Sequence, residues 1–250
     1  MKRILLFIGL LCICNNLTAQ EKVVKNETAK NIEDVYVHVK FANNIVVKNW
    51  DKNEISVEAT VNIDDNKRNN YFSLKTDKVG NTLKVTSDYG DYFKKYRSYY
   101  SYRKSDDKKE KTSDENDDED CHNHEHTNIV DYVIYVPKNM NLKIKSISGS
   151  VETEAYTGVL NLDLISGDIT VKKHSKDMHL KTISGDIDIY VADAKLEAKT
   201  LTGGVYSDLD IDFSKNSKKG YGSKIVTTVN NGTSFLKLDT ISGDIFLRKI

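Results

Sequence analysis

The sequence is poor in proline, cysteine and tryptophan, and it carries no net charge. Its 250 residues include one proline (Pro137), three cysteines and one tryptophan (Trp50), while 37 acidic residues balance 37 basic ones. Because the charges balance, there is no electrostatic reason to propose nucleic acid or an acidic membrane surface as a partner. Long helical patterns are also scarce, and a hydrophobic content of 38% suits a thin all-β chain of one or two domains.

Only the N-terminus is strongly apolar. Two basic residues precede the run ILLFIGLLCIC, and a polar segment then ends at Ala19. This order is typical of a secretory signal peptide, and the run is too short for a spanning helix. We expect residues 1–19 to be removed, which gives an exported protein in the periplasm, at the outer-membrane surface or outside the cell. Lipoprotein processing at Cys14 is the alternative, although the preceding Ile13 is not small.

An eighteen-residue repeat dominates the second half of the chain. The string Ile-Ser-Gly recurs at Ile147, Ile165 and Ile183, a degenerate copy follows at Leu201, and ISGDI returns at Ile241. Self-similarity at a fixed period is typical of proteins built from stacked repeats. Ser-Gly-Asp is turn chemistry, because glycine accepts positive φ and the polar side chains bond nearby backbone groups.

Short alternating runs flank each turn and predict β-strands with one apolar face. Leu160, Leu162 and Leu164 precede one turn, and Ile169 and Val171 follow it. Such a unit buries its apolar face only by stacking, so the pattern predicts an all-β solenoid with ~18-residue rungs and interior ladders of Ile, Val and Leu. A two-sheet β-sandwich of short strands is the alternative.

A left-handed hexapeptide helix also has eighteen residues per turn, but it requires an aliphatic residue every sixth position. Asp177 and Lys195 occupy such positions in two successive repeats. These residues exclude the left-handed form.

Composition divides the chain into five segments. They are a signal peptide (1–19), a flexible leader (20–31), N-terminal β rungs or a cap (32–88), a disordered insertion (89–128) and the repeats (129–250). The insertion is rich first in tyrosine and then in acidic residues and histidine, with little to bury. Trp50 is expected to be a core or cap aromatic. Arg248 and Lys249 are expected to protect the exposed end of the stack from another chain.

Two groups of residues could hold a metal ion. Cys121, His122, His124 and His126 offer the thiolate and imidazole ligands that suit zinc, and Cys121 would be the one cysteine left after export, which excludes an intramolecular disulfide. Asp168 and Asp186 would lie one rung apart and could share calcium. A solvated linker and aspartates that cap their own turns are the alternatives. Titration of the reduced chain with each ion tests both hypotheses, and no resident cofactor is expected otherwise.

The insertion also contains a tract in which tyrosines alternate with lysine and arginine. Aromatic rings with interleaved cations can stack on sugars or contact a protein, and export favours a surface glycan or an envelope protein over nucleic acid. The candidate ligand-binding residues are Tyr92, Tyr96, Tyr99, Tyr100 and Tyr102. A low-complexity linker is the alternative.

No catalytic constellation is apparent, so we expect the protein not to be an enzyme. The outward positions of the repeats are a scatter of Asp, Glu, Lys and Thr, and His174 and His179 have no Ser or Cys at matching positions. A polysaccharide-active β-helix enzyme, which would need converging carboxylates, is the less favoured hypothesis.

A family resemblance rests on a strand that ends in Val-Pro-Lys, followed by NMNLKIKSISGSVE and repeated ISGDI units after an exported N-terminus. This pattern resembles the DUF4097 family of proposed adhesins and the related head-domain adhesin group of bacterial surface proteins. The resemblance covers roughly Val35–Val85 and Ile129–Ile250. It implies a right-handed parallel β-helix at the cell envelope and an adhesive role, and it supplies no catalytic residues.

Overall fold

The computed structural model describes residues 20–95, 127–211 and 222–250. These ranges are nearly all-β, as the sequence predicts, with a single-turn 3-10 helix at Asn69–Tyr71. The strands are β1 (Glu21–Thr28), β2 (Asp34–Val39), β3 (Asn44–Trp50), β4 (Glu54–Ile63), β5 (Ser73–Val79), β6 (Thr82–Asp88), β7 (Asn128–Pro137), β8 (Asn141–Ser146), β9 (Ser150–Thr153), β10 (Leu160–Ser166), β11 (Ile169–Val171), β12 (Met178–Ser184), β13 (Ile187–Val191), β14 (Ala194–Thr200), β15 (Val205–Ser207), β16 (Ser223–Val229), β17 (Ser234–Thr240) and β18 (Ile245–Lys249).

The strands form two mixed sheets of nine strands each. Sheet A has the order β1-β4-β7-β3-β9-β11-β13-β18-β15, and sheet B has the order β16-β14-β17-β12-β10-β8-β2-β6-β5. Each repeat contributes one strand to each sheet, and we call such a pair of strands a rung. Rungs pair in parallel with the predicted eighteen-residue register, as in Leu160 opposite Met178. Antiparallel strands flank the parallel rungs at both ends of the stack.

The last rung in the sequence is not the last rung in the stack. Strand β17 pairs with both β12 and β14, and β18 pairs with both β13 and β15. The C-terminal repeat therefore lies between the repeat of Ile183 and that of Leu201, and we call it the displaced C-terminal rung. This order is possible because β16 folds back antiparallel on one side of β14 and leaves the other side for β17. The expectation that Arg248 and Lys249 protect an exposed end is wrong, since β15 and β16 lie there.

The predicted interior ladders are confirmed. Leu162, Leu180 and Leu238 lie on neighbouring rungs of sheet B, and all three side chains are buried. The equivalent ladder of sheet A contains Ile169, Ile187 and Ile245. Together these ladders fill the space between the sheets, where each residue contacts its equivalents above and below.

The aliphatic residues that open each turn instead face solvent. Ile147 is 38% exposed and Ile165 is 50% exposed, and the remaining members of this ladder are Ile183, Ile241 and Leu201. Alternation explains their orientation, because Leu164 points inward and its neighbour Ile165 must point outward. The corner between the two sheets thus carries an exposed aliphatic ladder.

The turns of neighbouring rungs pack closely against one another through backbone atoms. A Cβ on Gly185 would lie 2.2 Å from the carbonyl oxygen of Gly167, so side chains are excluded at this corner. Three buried threonines each donate a hydrogen bond to the glycine carbonyl of the preceding rung: Thr182 to Gly167 (3.0 Å), Thr240 to Gly185 (3.0 Å) and Thr200 to Gly243 (2.8 Å). Each threonine hydroxyl thus supplies a hydrogen-bond partner to a turn carbonyl from the interior side of the rung.

Candidate functional site

The aspartates of the repeat form a ladder along the turns. The Oδ1 atom of Asp168 accepts the backbone N–H of Asp186 (2.8 Å), and Asp186 accepts that of Asp244 (2.7 Å). Asp244 in turn accepts the N–H of Gly204 (2.8 Å), which ends the ladder. The structure therefore brings Asp168 and Asp186 together as expected and adds Asp244. Each carboxylate bonds backbone of the next rung, and calcium binding there stays a prediction.

The other sequence-predicted metal ligands and most of the tyrosine tract lie outside the described residues. They are Cys121, His122, His124, His126, Tyr96, Tyr99, Tyr100 and Tyr102. Within the ranges that the structure does describe, no group of three or more His, Cys, Asp or Glu side chains is arranged to hold a metal ion. Zinc binding and ligand binding by this tract therefore remain predictions.

Tyr92 is the one candidate ligand-binding tyrosine that the structure describes, and it is a core residue. Its side chain is 3% exposed, its ring packs against Tyr71 and Phe93, and its hydroxyl lies 3.3 Å from Asp64 Oδ2. Burial, with the nearby carboxylate, raises the pKa of Tyr92 to about 12. The packed chain thus continues beyond Asp88, where the sequence predicted the N-terminal β segment to end.

The two histidines of the repeats have partners that the sequence did not reveal. The Nδ1 atom of His174 lies 3.4 Å from Ser234 Oγ, and His179 Nε2 lies 3.3 Å from Asp239 Oδ2. Both partners belong to the displaced C-terminal rung, which is why sequence spacing missed them. Burial lowers the pKa of His174, and the Ser234 hydroxyl donates to the carbonyl of Asp193 (2.9 Å). The His174–Ser234 pair is therefore buried packing that presents no nucleophile to solvent.

Trp50 lies half-buried on the outer face of sheet A rather than in the core. Its ring stacks on Tyr135, with centroids 4.8 Å apart, and its Nε1–H donates to the carbonyl of Glu54 (2.7 Å). The Lys52 ammonium lies 4.6 Å from the indole centroid. Because Tyr135 and Lys52 both contact the indole, little of the ring is left for a ligand.

A second aromatic pair on the same face is more open. Tyr206 stacks on Phe246 with ring centroids 5.4 Å apart and an interplanar angle of 18°, and Tyr206 is 54% exposed. The Arg248 guanidinium lies 5.5 Å from the Phe246 centroid and binds both carboxylate oxygens of Asp188 at 2.7–2.8 Å. A bidentate charged pair is geometrically specific, so it fixes the guanidinium beside the rings. We call Tyr206 and Phe246 the aromatic pair.

The aromatic pair exists because the C-terminal rung is displaced. Tyr206 on β15 and Phe246 on β18 are direct partners in the sheet, although forty residues separate them in the chain. Gly204 makes room for the tyrosine, since a Cβ there would lie 2.9 Å from the Tyr206 ring. Sequence reasoning missed this site, because neither residue belongs to a motif.

Comparison with known proteins supports the resemblance. Residues 135–248 match the family model described as Toastrack DUF4097. The fold is similar to that of a candidate cell adhesion protein from Clostridium sporogenes, at 10% identity and a TM-score of 0.50 over 92% of this chain and 100% of that one. A candidate adhesin from Bacteroides fragilis, 12% identical, aligns over 92% of this chain and 97% of its own with a TM-score of 0.33.

No curated protein matches the chain. In the part of the chain that the structure describes, no helix is long and apolar enough to cross a membrane. At these identities the likeness to solved structures concerns the fold alone.

Proposed function

We propose that this chain, a DUF4097 protein over residues 135–248, is a non-enzymatic, adhesin-like protein exported to the cell envelope, and that its aromatic pair binds a surface glycan. We further propose that its two sheets are walls of a right-handed parallel β-solenoid. The parallel register of the rungs supports the solenoid, and the N-terminal signal pattern supports export.

The observation that carries the glycan proposal is the exposure and rigidity of the aromatic pair. Tyr206 presents more than half of its surface to solvent while its other side rests on Phe246. A ring that is already fixed loses little conformational entropy when a ligand stacks on it. Aromatic rings offer an apolar face, and tyrosine adds a hydroxyl that can bond a partner.

The surroundings of the aromatic pair favour a sugar over a protein partner. The site lies at the edge of sheet A formed by β15, and it is bordered by the charged pair Arg248–Asp188 and by Asp208, whose Oδ1 accepts the backbone N–H of Lys249. A pyranose has an apolar face for the rings and hydroxyls for carboxylates and guanidinium. A protein interface, by contrast, normally requires a larger surface with a buried core.

Replacement of Tyr206 by alanine is expected to weaken glycan binding about 5- to 150-fold, if stacking on the ring contributes roughly the 1–3 kcal/mol that it does for nucleic-acid bases. The full mature chain, residues 20–250, is screened on an array of bacterial and host glycans, and the affinity for the best glycan is then measured. Phe246→Ala should weaken binding similarly, while Tyr206→Phe should retain most of it.

Phe235→Ala is the matched control, because Phe235 is an aromatic of similar exposure (43%) on sheet B. This variant should bind like the parent. The proposal would be contradicted by an array on which the parent binds nothing, or by a Tyr206→Ala variant whose affinity is unchanged.

A further inference from the structure

A concave site of about 410 Å³ lies on the outer face of sheet B, far from the aromatic pair. Tyr36 lies between two lysines, Lys84 and Lys143, at its centre. We call this site the Tyr36 groove, and its further lining includes Val79, Thr82 and Asn161. Its volume is at the small end of the range for small-molecule sites, which suits one or two sugar residues.

Strand register places the groove residues side by side. Tyr36 on β2 is the direct partner of Lys84 on β6 and of Lys143 on β8, and Asn161 on β10 is the partner of Lys143. All four positions alternate with buried residues, so their side chains share the outer face. Neighbouring strands lie about 4.8 Å apart, so the lysines flank the ring at distances that one small ligand can bridge.

Two lysines line the groove, and one of them, Lys84, has an acidic strand partner, Asp77 on β5. The Lys143 ammonium lies 6.0 Å from the Tyr36 ring centroid. Lys145, on the same strand as Lys143, forms a salt bridge with Asp163 (3.0 Å), whereas neither Lys84 nor Lys143 has a carboxylate within salt-bridge distance in the ranges that the structure describes. Asp34, the acid that lines the groove, accepts a hydrogen bond from Asn141 Nδ2 (2.9 Å).

The lysine charges around the groove also act on a neighbouring histidine, His38. His38 follows Tyr36 on the outer face of β2, and the two rings lie 6.2 Å apart. Partial burial and the nearby charges of Lys145, Lys84 and Lys40 lower the pKa of His38. A bound anion between the two ammonium groups would be attracted by both, because opposite charges at close range interact favourably.

We propose that the Tyr36 groove binds an acidic sugar, with the sugar carboxylate between Lys84 and Lys143 and the apolar face of its ring on Tyr36. Asn161 and Thr82 supply an amide and a hydroxyl for the sugar hydroxyls. The combination of one aromatic ring and two cations distinguishes a carboxylated sugar from a neutral one, which would leave both ammonium groups unpaired. This site is separate from the aromatic pair and does not depend on its function.

The test is a calorimetric titration of the full mature chain, residues 20–250, at low salt with trigalacturonic acid and with neutral maltotriose. We expect binding of the acidic trimer, at least tenfold weaker binding of maltotriose, and loss of affinity when salt is raised, because exposed charges are screened. The double variant Lys84→Gln/Lys143→Gln should lose at least tenfold in affinity for the acidic trimer. Tyr36→Ala should lose severalfold, and Tyr36→Phe should keep most of the affinity.

Two control variants show whether the acidic trimer binds at the Tyr36 groove or elsewhere on the chain. Lys195→Gln removes an exposed lysine from the same face at the far end of sheet B and should leave the affinity unchanged. Tyr206→Ala should also bind the acidic trimer like the parent, so failure at one site is distinguishable from failure at the other. The proposal is overturned if the parent does not bind the acidic trimer, if maltotriose binds equally well, or if the double variant or Tyr36→Ala binds as tightly as the parent.

Discussion

Gly185→Ala is expected to lower the free energy of unfolding by at least about 3 kcal/mol. Gly185 has φ +151°, a backbone conformation that side-chain-bearing residues rarely adopt, and the added Cβ would lie 2.2 Å from the Gly167 carbonyl oxygen. The backbone cannot move away freely, because the Gly185 N–H bonds Ser242 on the next rung (2.9 Å) and Thr182 holds the Gly167 carbonyl (3.0 Å). The loss is a large fraction of the roughly 5–15 kcal/mol that stabilises a typical domain.

Urea denaturation followed by circular dichroism measures this effect, and Gly80→Ala is its matched control. Gly80 also has positive φ, +62°, but nothing lies within 4 Å of the position where a Cβ would be added. The control should therefore cost only about 1–2 kcal/mol, the ordinary penalty of a left-handed residue. Equal losses in both variants would show that the turns are not stacked as closely as described.

Leu238→Ala is expected to cost about 2–5 kcal/mol, whereas Ile241→Ala should cost less than about 1 kcal/mol. Both residues are aliphatic and lie on the C-terminal rung, but Leu238 is fully buried between the sheets and Ile241 is 44% exposed at the corner. Removal of the leucine leaves a cavity between Leu180 and Ala198, the residues on the two neighbouring rungs. The isoleucine loses only partly buried surface.

The same denaturation measurement compares these two variants directly, since they differ by three positions on one rung. If Ile241→Ala were the more damaging change, the corner ladder would be interior and the orientation of every rung would be reversed. Equal losses would mean that the C-terminal rung is frayed rather than packed between its neighbours.

Much of the fold could be predicted from the sequence. The eighteen-residue period sets the register between rungs, and the alternation around Leu160 identifies the buried ladders. The same alternation also predicts that Ile165 faces solvent, because it follows the buried Leu164. Glycine and aspartate mark the turns for a physical reason, since one avoids a clash and the other bonds the next rung.

The order of the rungs could not be predicted from spacing alone. Spacing places Leu201 directly after Ile183, but the structure inserts Ile241 between them. One signal does indicate this order: Asp244 continues the aspartate ladder, whereas Gly204 can only end it. A rung without an acceptor side chain belongs at the end of such a ladder. Because the aromatic pair and the His174–Ser234 contact both depend on this order, neither could be predicted from the spacing of the repeats.

The Tyr36 groove, unlike the sites predicted from the sequence, is formed only by the pairing of strands that are distant in the chain. Tyr36, Lys84 and Lys143 come from three strands that are far apart in the chain, so only strand pairing reveals their proximity. The sequence places Tyr92 in a polar tract that is expected to face solvent, yet its ring is buried beside Tyr71. Local composition could not separate this residue from the rest of the tract.

The most direct test of the displaced rung is disulfide formation between engineered cysteines in residues 20–250 with Cys121→Ser. Ile183 and Ile241 lie opposite each other on neighbouring rungs, about 4.8 Å apart, which is within the Cα range of a disulfide. Ile183 and Leu201 are two rungs apart, at roughly 10 Å, which is too far.

Mass spectrometry of the oxidised monomer should therefore show a disulfide in the Ile183→Cys/Ile241→Cys variant and free thiols in the Ile183→Cys/Leu201→Cys variant. The opposite result would place the repeats in simple sequence order. It would also separate Tyr206 from Phe246 and remove the proposed glycan site.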